Sequence, residues 1–157
     1  MATAPTVTLQ ELPARRVAYL RHVGPYAGVD PTWTRLLAAL APGGWLRPET
    51  VALGIGHDNP AITPAAELRF DACLTVPVDF VPTPPVAVQI IPGGKYAVLR
   101  HRGSSTGLPA QYLWLLRDWL PASGRRRGPG PVVEVYVNRP DTTPEAELLT
   151  DIHLPLE

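Results

Sequence analysis

The residues of this chain best suited to bind a charged ligand lie in a valine-rich stretch around Glu134. The alternation there predicts a β-strand, in which successive side chains point to opposite faces. Glu134 and Tyr136 then share one face, where the carboxylate would attract a cation and the ring would add a cation–π contact. The opposite face would be an apolar strip directed at a core, made of Val133, Val135 and Val137. On this strand alone, a polar face turned to solvent is the simpler interpretation.

An internal repeat organises the elements that would position these residues. The segment 12–24 recurs as 91–103, and 60–64 recurs as 140–144. An apolar helix stripe also repeats, so that Trp33, Leu36, Leu37 and Leu40 match Tyr112, Leu115, Leu116 and Trp119. Because these matches follow one another in the same order along the chain, they indicate a duplication.

Each repeat predicts strands on both sides of one amphipathic helix. The predicted strands cover 7–11, 16–23, 51–57 and 69–76 in the first repeat, and 86–90, 95–102, 132–138 and 149–154 in the second. We therefore expect an α+β fold of two tandem strand-helix-strand-strand units, with pseudo-two-fold symmetry, an antiparallel sheet and a central ligand cleft. A single domain would span 1–157, with repeats at 5–76 and 86–156 joined by a proline-rich linker at 77–85.

Composition limits the classes of partner. The formal net charge of the 157 residues is zero, so we expect no direct nucleic-acid binding and no membrane association. A single cysteine, Cys73, suits a reducing compartment, and we expect a cytoplasmic protein. His57 and His153 lack the spacing of metal ligands, so neither a metal nor a cofactor is expected. Residues that recur with the fold are assigned structural roles, namely His22 with His101 and Asp71 with Asp151.

The repeats differ at the polar face of the valine-rich strand. Gly54 stands in the first repeat where Glu134 stands in the second, and Gly56 stands where Tyr136 does. Glycine within a strand often marks a place where another group approaches the backbone closely. Since a purely structural repeat has little reason to be asymmetric there, this difference favours a ligand-binding role for Glu134. Gly54 and Gly56, with their bare backbone, are candidate ligand-binding positions on the related strand.

Motifs in both repeats resemble the GyrI-like small-molecule-binding domain, which is also the effector-binding module of some AraC-type and MerR-type transcription regulators. They lie at 20–26, 67–73, 91–98, 134–138 and 148–156, and the resemblance covers nearly the whole chain. It implies a central cleft in which an acidic residue on a late strand, here Glu134, meets cationic aromatic ligands. Tyr136 and Tyr26 would line that cleft. Ser105 stands where the family often has a second-repeat tyrosine, so Ser105 would lie on that wall of the ligand cleft.

Three functions follow from this combination. The first is a stand-alone binding protein for amphipathic aromatic cations. The second, implied by stand-alone relatives, is a hydrolase of cyclopropane-bearing genotoxins in which Glu134 is the catalytic residue. The third, also implied by the family, is an inhibitor that binds a protein such as DNA gyrase or a regulator. Its contact surface would include Trp114 and the exposed loop 125–127.

Overall fold

A computed structural model of the protein describes residues 5–157. They form two compact units, which we name the N-terminal unit (residues 14–92) and the C-terminal unit (residues 5–13 and 93–157). Both units combine antiparallel strands with helix, which confirms the predicted α+β class. Residues 1–4 of the predicted domain lie outside the described residues, and the assignment of 1–157 to one domain stays a prediction.

The strands, numbered along the chain, are β1 (Val7–Leu12), β2 (Arg15–Val23), β3 (Ala52–Gly56), β4 (Arg69–Thr75), β5 (Ala87–Ile91), β6 (Gly94–Arg102), β7 (Val133–Tyr136) and β8 (Leu149–Pro155). The helices are α1 (Asp30–Leu40), α2 (Leu108–Leu113) and α3 (Leu120–Ser123), and a π-helical turn, Trp114–Trp119, joins α2 to α3. Short 3-10 turns precede α1 and α2 at Tyr26–Gly28 and Ser105–Gly107. No helix within residues 5–157 combines the length and apolar character that crossing a bilayer requires.

The strand order is β3-β4-β2-β5 in the N-terminal unit and β1-β6-β8-β7 in the C-terminal unit, with antiparallel pairing throughout. The first strand of each sequence repeat therefore belongs to the sheet of the other unit. Val7 pairs with Leu99, and Ile90 pairs with Arg16. Periodicity is a local property, so it predicted these strands without revealing their partners.

One face of each sheet is covered by helix. Leu36 and Leu40 of α1 are fully buried in a core of the N-terminal unit, together with Ala18, Ala72 and Leu74. In the C-terminal unit, Leu108 and Leu115 pack with Ala97, Leu99, Ile152 and Leu154. Packing one helix stripe against one sheet face buries apolar area in each unit. Each Å² of apolar surface buried contributes roughly 25 cal/mol to the free energy of folding.

The π-helical turn changes which helix residues reach the core of the C-terminal unit. A π turn contains an additional residue, so it shifts the faces of the residues that follow it. Trp114 lies off the predicted helix stripe but packs against this core, as do Tyr112, Leu116 and Trp119. Trp114 is thus a half-buried packing residue, and its place in a partner surface stays a prediction.

Candidate functional site in the C-terminal unit

Glu134 lies on the helix-covered face of the C-terminal sheet. Its partner in the β7–β8 register is Ile152, a fully buried member of the core beneath α2. Val133 and Val135 point to the opposite face and are buried, as predicted, but Val137 lies beyond the end of β7 and is 43% exposed. The polar residues of this strand are therefore half-buried beside a helix, so the simpler interpretation of an open solvent face is wrong.

Two tyrosines hold the Glu134 carboxylate. The Tyr112 hydroxyl donates a hydrogen bond to Oε1 at 2.8 Å, and the Tyr136 hydroxyl donates one to Oε2 at 2.8 Å. Tyr112 comes from helix α2, and Tyr136 lies two residues along β7 on the same face as Glu134. Hydrogen bonds to an ionised acceptor are roughly twice as strong as neutral ones, so the two phenols orient the carboxylate on a rigid frame.

The electrostatic environment of Glu134 is dominated by burial. Burial raises the pKa of the Glu134 carboxyl above its ordinary value, and the hydrogen bonds from Tyr136 and Tyr112 offset only part of that increase. None of the ion pairs formed within residues 5–157 involves Glu134. Among the described residues, the carboxylate is therefore held by neutral hydroxyl groups and forms no ion pair.

The strand pattern predicted a shared face for Glu134 and Tyr136, whereas the helix stripe predicted a core position for Tyr112. Tyr112 does pack against the core, and its hydroxyl also reaches the carboxylate. A signal for this contact was present in the repeat: tyrosine replaces Trp33 in the same repeat where glutamate replaces Gly54. A phenol where the other repeat has an indole supplies an O–H donor for an acidic acceptor.

In the N-terminal unit, Tyr26 and Gly56 lie together. The Tyr26 hydroxyl donates to the Asp58 carbonyl at 2.9 Å, and its ring packs edge-on against Phe70 at 5.8 Å between centroids. A Cβ at Gly56 would lie 3.5 Å from the Tyr26 hydroxyl, so the group that approaches this glycine is a side chain of the protein itself. Gly54 lies two residues earlier in β3 and is buried. The ligand-binding assignment of Tyr26, Gly54 and Gly56 stays a prediction.

Ser105 occupies the position in the C-terminal unit that Tyr26 has in the N-terminal unit. Each is the first residue of its 3-10 turn. The strand-end histidines confirm the equivalence, since Nε2 of His22 lies 2.8 Å from the Pro25 carbonyl and Nε2 of His101 lies 2.8 Å from that of Ser104. Ser105 is exposed, and its role in ligand binding stays a prediction.

A second polar cluster surrounds Asp71 in the N-terminal unit. Asp71 is fully buried and accepts hydrogen bonds from Nε and a terminal nitrogen of Arg21 at 2.8 and 3.1 Å, and from Gln89 at 3.0 Å. His57 Nε2 lies 2.8 Å from Asp71 Oδ2, a contact that sequence spacing did not predict. Burial raises the pKa of Asp71, but the hydrogen bonds from Arg21, His57 and Gln89 outweigh it and hold that pKa below its usual value. A buried carboxylate with this many donors supports the structural role assigned to it.

Comparison with known proteins identifies relatives over most of the chain. A family model described as the GyrI-like small molecule binding domain matches residues 5–157. The protein named Probable transcriptional regulator YgiV of Escherichia coli (strain K12) is 33% identical over 110 residues, which are 69% of this chain and 68% of that protein. The DNA gyrase inhibitor of Serratia proteamaculans (strain 568) is 33% identical over 141 residues, or 85% of this chain and 87% of that protein.

A solved structure has the same fold. The crystal structure of the EcmrR C-terminal domain superposes on this chain with a TM-score of 0.81. The two are 20% identical, and the match covers 99% of each chain. At this level of identity the likeness shows a shared fold alone.

Proposed function

The chain belongs to the GyrI-like small molecule binding domain family, and on that premise we propose that its C-terminal unit binds a cationic aromatic molecule at Glu134. The observation that carries this proposal is a half-buried carboxylate whose two oxygens are each held by a tyrosine hydroxyl at 2.8 Å. The phenols orient the charge without neutralising it. A ligand cation would therefore supply the opposite charge that a desolvated carboxylate requires.

The same geometry favours flat, delocalised cations over compact ammonium groups. Because the hydroxyls of Tyr112 and Tyr136 contact the carboxylate, their rings lie close to it, and we take them as the aromatic walls of the site. An aromatic cation gains apolar burial and ring contacts from such walls, whereas a small ammonium ion loses strong hydration for little contact area. The biological role would be to sequester such a molecule or to sense it as an effector. We place this role in the cytoplasm, which suits the free, buried Cys73.

Titration with a cationic rhodamine tests the proposal. Dye anisotropy and tryptophan fluorescence are followed for the wild type, for Glu134→Gln, and for Glu145→Gln as a control that removes the same charge from an exposed turn. A charge-assisted contact is worth on the order of 1.5–3 kcal/mol, so Glu134→Gln should bind about ten-fold or more weakly. Equal affinity of all three proteins for the dye, or no binding by any of them, would refute the proposal.

Hydrolysis is a second candidate, favoured by the raised pKa of Glu134. A carboxylate with a raised pKa is a better general base near neutral pH. Glu134 would take a proton from water as the water oxygen bonds to a cyclopropane carbon, and the opened ring carbon would receive a proton in return. Mass spectrometry of an incubated cyclopropane substrate checks this, since hydrolysis adds one water to the substrate and Glu134→Gln should abolish the product.

A protein partner is a third candidate, favoured by relatives that are named DNA gyrase inhibitors. Arg125 to Arg127 are exposed, and their loop is tied down by the Glu157 amide, which donates to the Arg126 carbonyl at 3.0 Å. An inhibitor acting through this surface should keep its activity in Glu134→Gln. A gyrase supercoiling assay with the wild type, Glu134→Gln and a variant with alanine at 125–127 separates this function from small-molecule binding.

A further inference from the structure

A small cavity lies at the β1 edge of the C-terminal sheet, across the sheet from the β7 edge that carries Glu134. Its volume is about 140 Å³. An apolar cavity of about 150 Å³ holds one benzene molecule, so this cavity has room for a single aromatic ring. The residues that line it include Leu9, Glu11, Lys95, Arg125 and Leu156.

In the N-terminal unit, Phe80 fills a place just after the end of strand β4. Its side chain is buried, and its ring packs edge-on against Trp45 at 5.1 Å between centroids. The Arg16 guanidinium donates to the Phe80 carbonyl at 2.9 Å and to the Pro77 carbonyl at 2.7 Å. An aromatic ring and the carbonyl oxygen next to it are thus held together at this place.

The cavity corresponds to the place of Phe80, because residues that line it stand where residues around Phe80 stand. The Val76 amide, in the same apolar cluster as Phe80, donates to the Arg16 carbonyl at 3.0 Å. In the C-terminal unit the Leu156 amide donates to the Lys95 carbonyl at 2.9 Å. Leu156 is therefore the equivalent of Val76, and Lys95 is the equivalent of Arg16.

Arg125 is the equivalent of Trp45. Gly44 and Gly124 each end the helical part of their unit in the left-handed conformation, with φ of 72° and 70°. Trp45 and Arg125 are the residues that follow these glycines. A guanidinium thus stands in the C-terminal unit where an indole packs against the phenylalanine ring in the N-terminal unit.

The charges of the lining favour an anion. None of the ion pairs formed within residues 5–157 involves Lys95 or Arg125. Glu11 lies opposite Lys95 in the β1–β6 register, and the two cations outnumber this one carboxylate. A carboxylate is a stronger acceptor for such groups than the neutral carbonyl that Arg16 binds.

We propose that this cavity binds a small aromatic carboxylate, with its ring against Leu9 and Leu156 and its carboxylate between Lys95 and Arg125. Two carbons separate the ring of Phe80 from its carbonyl carbon, so a single ring with a two-carbon link to the carboxylate fits best. 3-Phenylpropionate has this connectivity. The inference is independent of the cation site, since the ligand is an anion at the other edge of the sheet.

Calorimetric titration with 3-phenylpropionate tests the proposal, and 3-phenylpropionamide is the neutral comparison with the same ring. The wild type should bind the acid with a Kd of about 1 mM or lower and the amide about ten-fold more weakly. Because Lys95 and Arg125 are exposed, solvent screens each contact, and Lys95→Gln and Arg125→Gln should each weaken acid binding about five-fold. Arg102→Gln removes the same charge from the far end of β6 and should match the wild type.

Amide chemical shifts of isotope-labelled protein locate the bound acid, and they should change at Leu9, Lys95 and Leu156. No saturation by the wild type, equal affinity for acid and amide, or unchanged acid binding by either glutamine variant would overturn the inference. Shift changes confined to other residues would also overturn it. Glu134→Gln should bind the acid as the wild type does, so the rhodamine titration and this one can fail separately.

Discussion

Tyr112 and Glu134 are 22 residues apart in the chain, and their side chains meet at 2.8 Å between the phenol oxygen and Oε1. This hydrogen bond links helix α2 to strand β7, so it connects the position of the helix to the orientation of the carboxylate. The Tyr136 hydroxyl completes the arrangement from the strand itself at 2.8 Å. The site thus lies within one unit and is built from one residue of helix α2 and two residues of strand β7.

Removing the helix phenol should change the ionisation of Glu134. In Tyr112→Phe the carboxylate loses one of the two hydrogen bonds that offset its burial, so its pKa should rise further and cation binding at neutral pH should weaken. NMR titration of labelled glutamate side chains measures the shift. The matched control is Tyr19→Phe, which changes a half-buried tyrosine of the N-terminal unit. It should leave the pKa of Glu134 unchanged. A lower pKa in Tyr112→Phe would contradict the assigned role.

Cation affinity should depend on pH through Glu134. The pKa of this carboxyl is raised, so the charge that attracts the ligand is lost as pH falls through that raised value, above the range of an ordinary glutamate. Rhodamine affinity measured across mildly acidic to neutral pH should fall with decreasing pH in the wild type. The profile of Glu134→Gln should be flat over the same range. A flat profile in the wild type would show that another group carries the attraction.

The same pKa shift predicts a stability difference of a definite sign. A carboxyl whose pKa is higher in the folded than in the unfolded protein contributes stability below the unfolded pKa, and this contribution is lost as pH rises through the folded value. Without ligand, Glu134→Gln should therefore gain stability relative to the wild type as pH rises. Chemical unfolding of both proteins at several pH values checks this. If the wild type instead gained stability relative to Glu134→Gln as pH rises, the prediction would be contradicted.

Asp71 should behave in the opposite way. Its pKa is lowered, so its contribution is present above the unfolded pKa and is lost as pH falls through the folded value. Asp71→Asn leaves Arg21 and His57 without their carboxylate and should cost about 3 kcal/mol at neutral pH. Asp151→Asn breaks the equivalent pair with Arg100, whose side chain is 55% exposed, and should cost about 1 kcal/mol or less. If urea unfolding showed equal losses of stability for the two variants, burial of the carboxylate would not explain the cost of breaking the ion pair.

A close backbone contact should make Gly128 sensitive to substitution. A Cβ at Gly128 would lie 2.9 Å from the Leu156 carbonyl oxygen, where the Gly128 amide also donates to the Pro155 carbonyl at 2.8 Å. Gly128→Ala should destabilise the protein by about 1–3 kcal/mol, because backbone must shift to admit the methyl group. Gly130→Ala is the control, since its methyl would meet only the Pro155 side chain, at ordinary contact distances of 3.6 Å to Cγ and 3.7 Å to Cβ. Thermal melting of the two variants should separate them.

Several features of this protein are local, and the sequence by itself determined them. Alternation along Val133–Tyr136 is enough to predict a strand with Glu134 and Tyr136 on one face, because the side-chain period of a strand is two. Order along the chain is likewise enough to predict an internal duplication, in which Glu134 and Tyr136 stand where the first repeat has Gly54 and Gly56. Such properties depend only on residue type and spacing.

Tertiary structure decided which residues meet. Whether Tyr112 reaches Glu134 depends on how α2 is rotated over β7, and His57 reaches Asp71 only through the β3–β4 register. The exchange of β1 and β5 between the sheets is likewise a choice of hydrogen-bond partner that no local pattern contains. A hydrogen bond requires two groups within a few tenths of an ångström of about 2.9 Å, and only the packed helices and registered strands set distances to that precision.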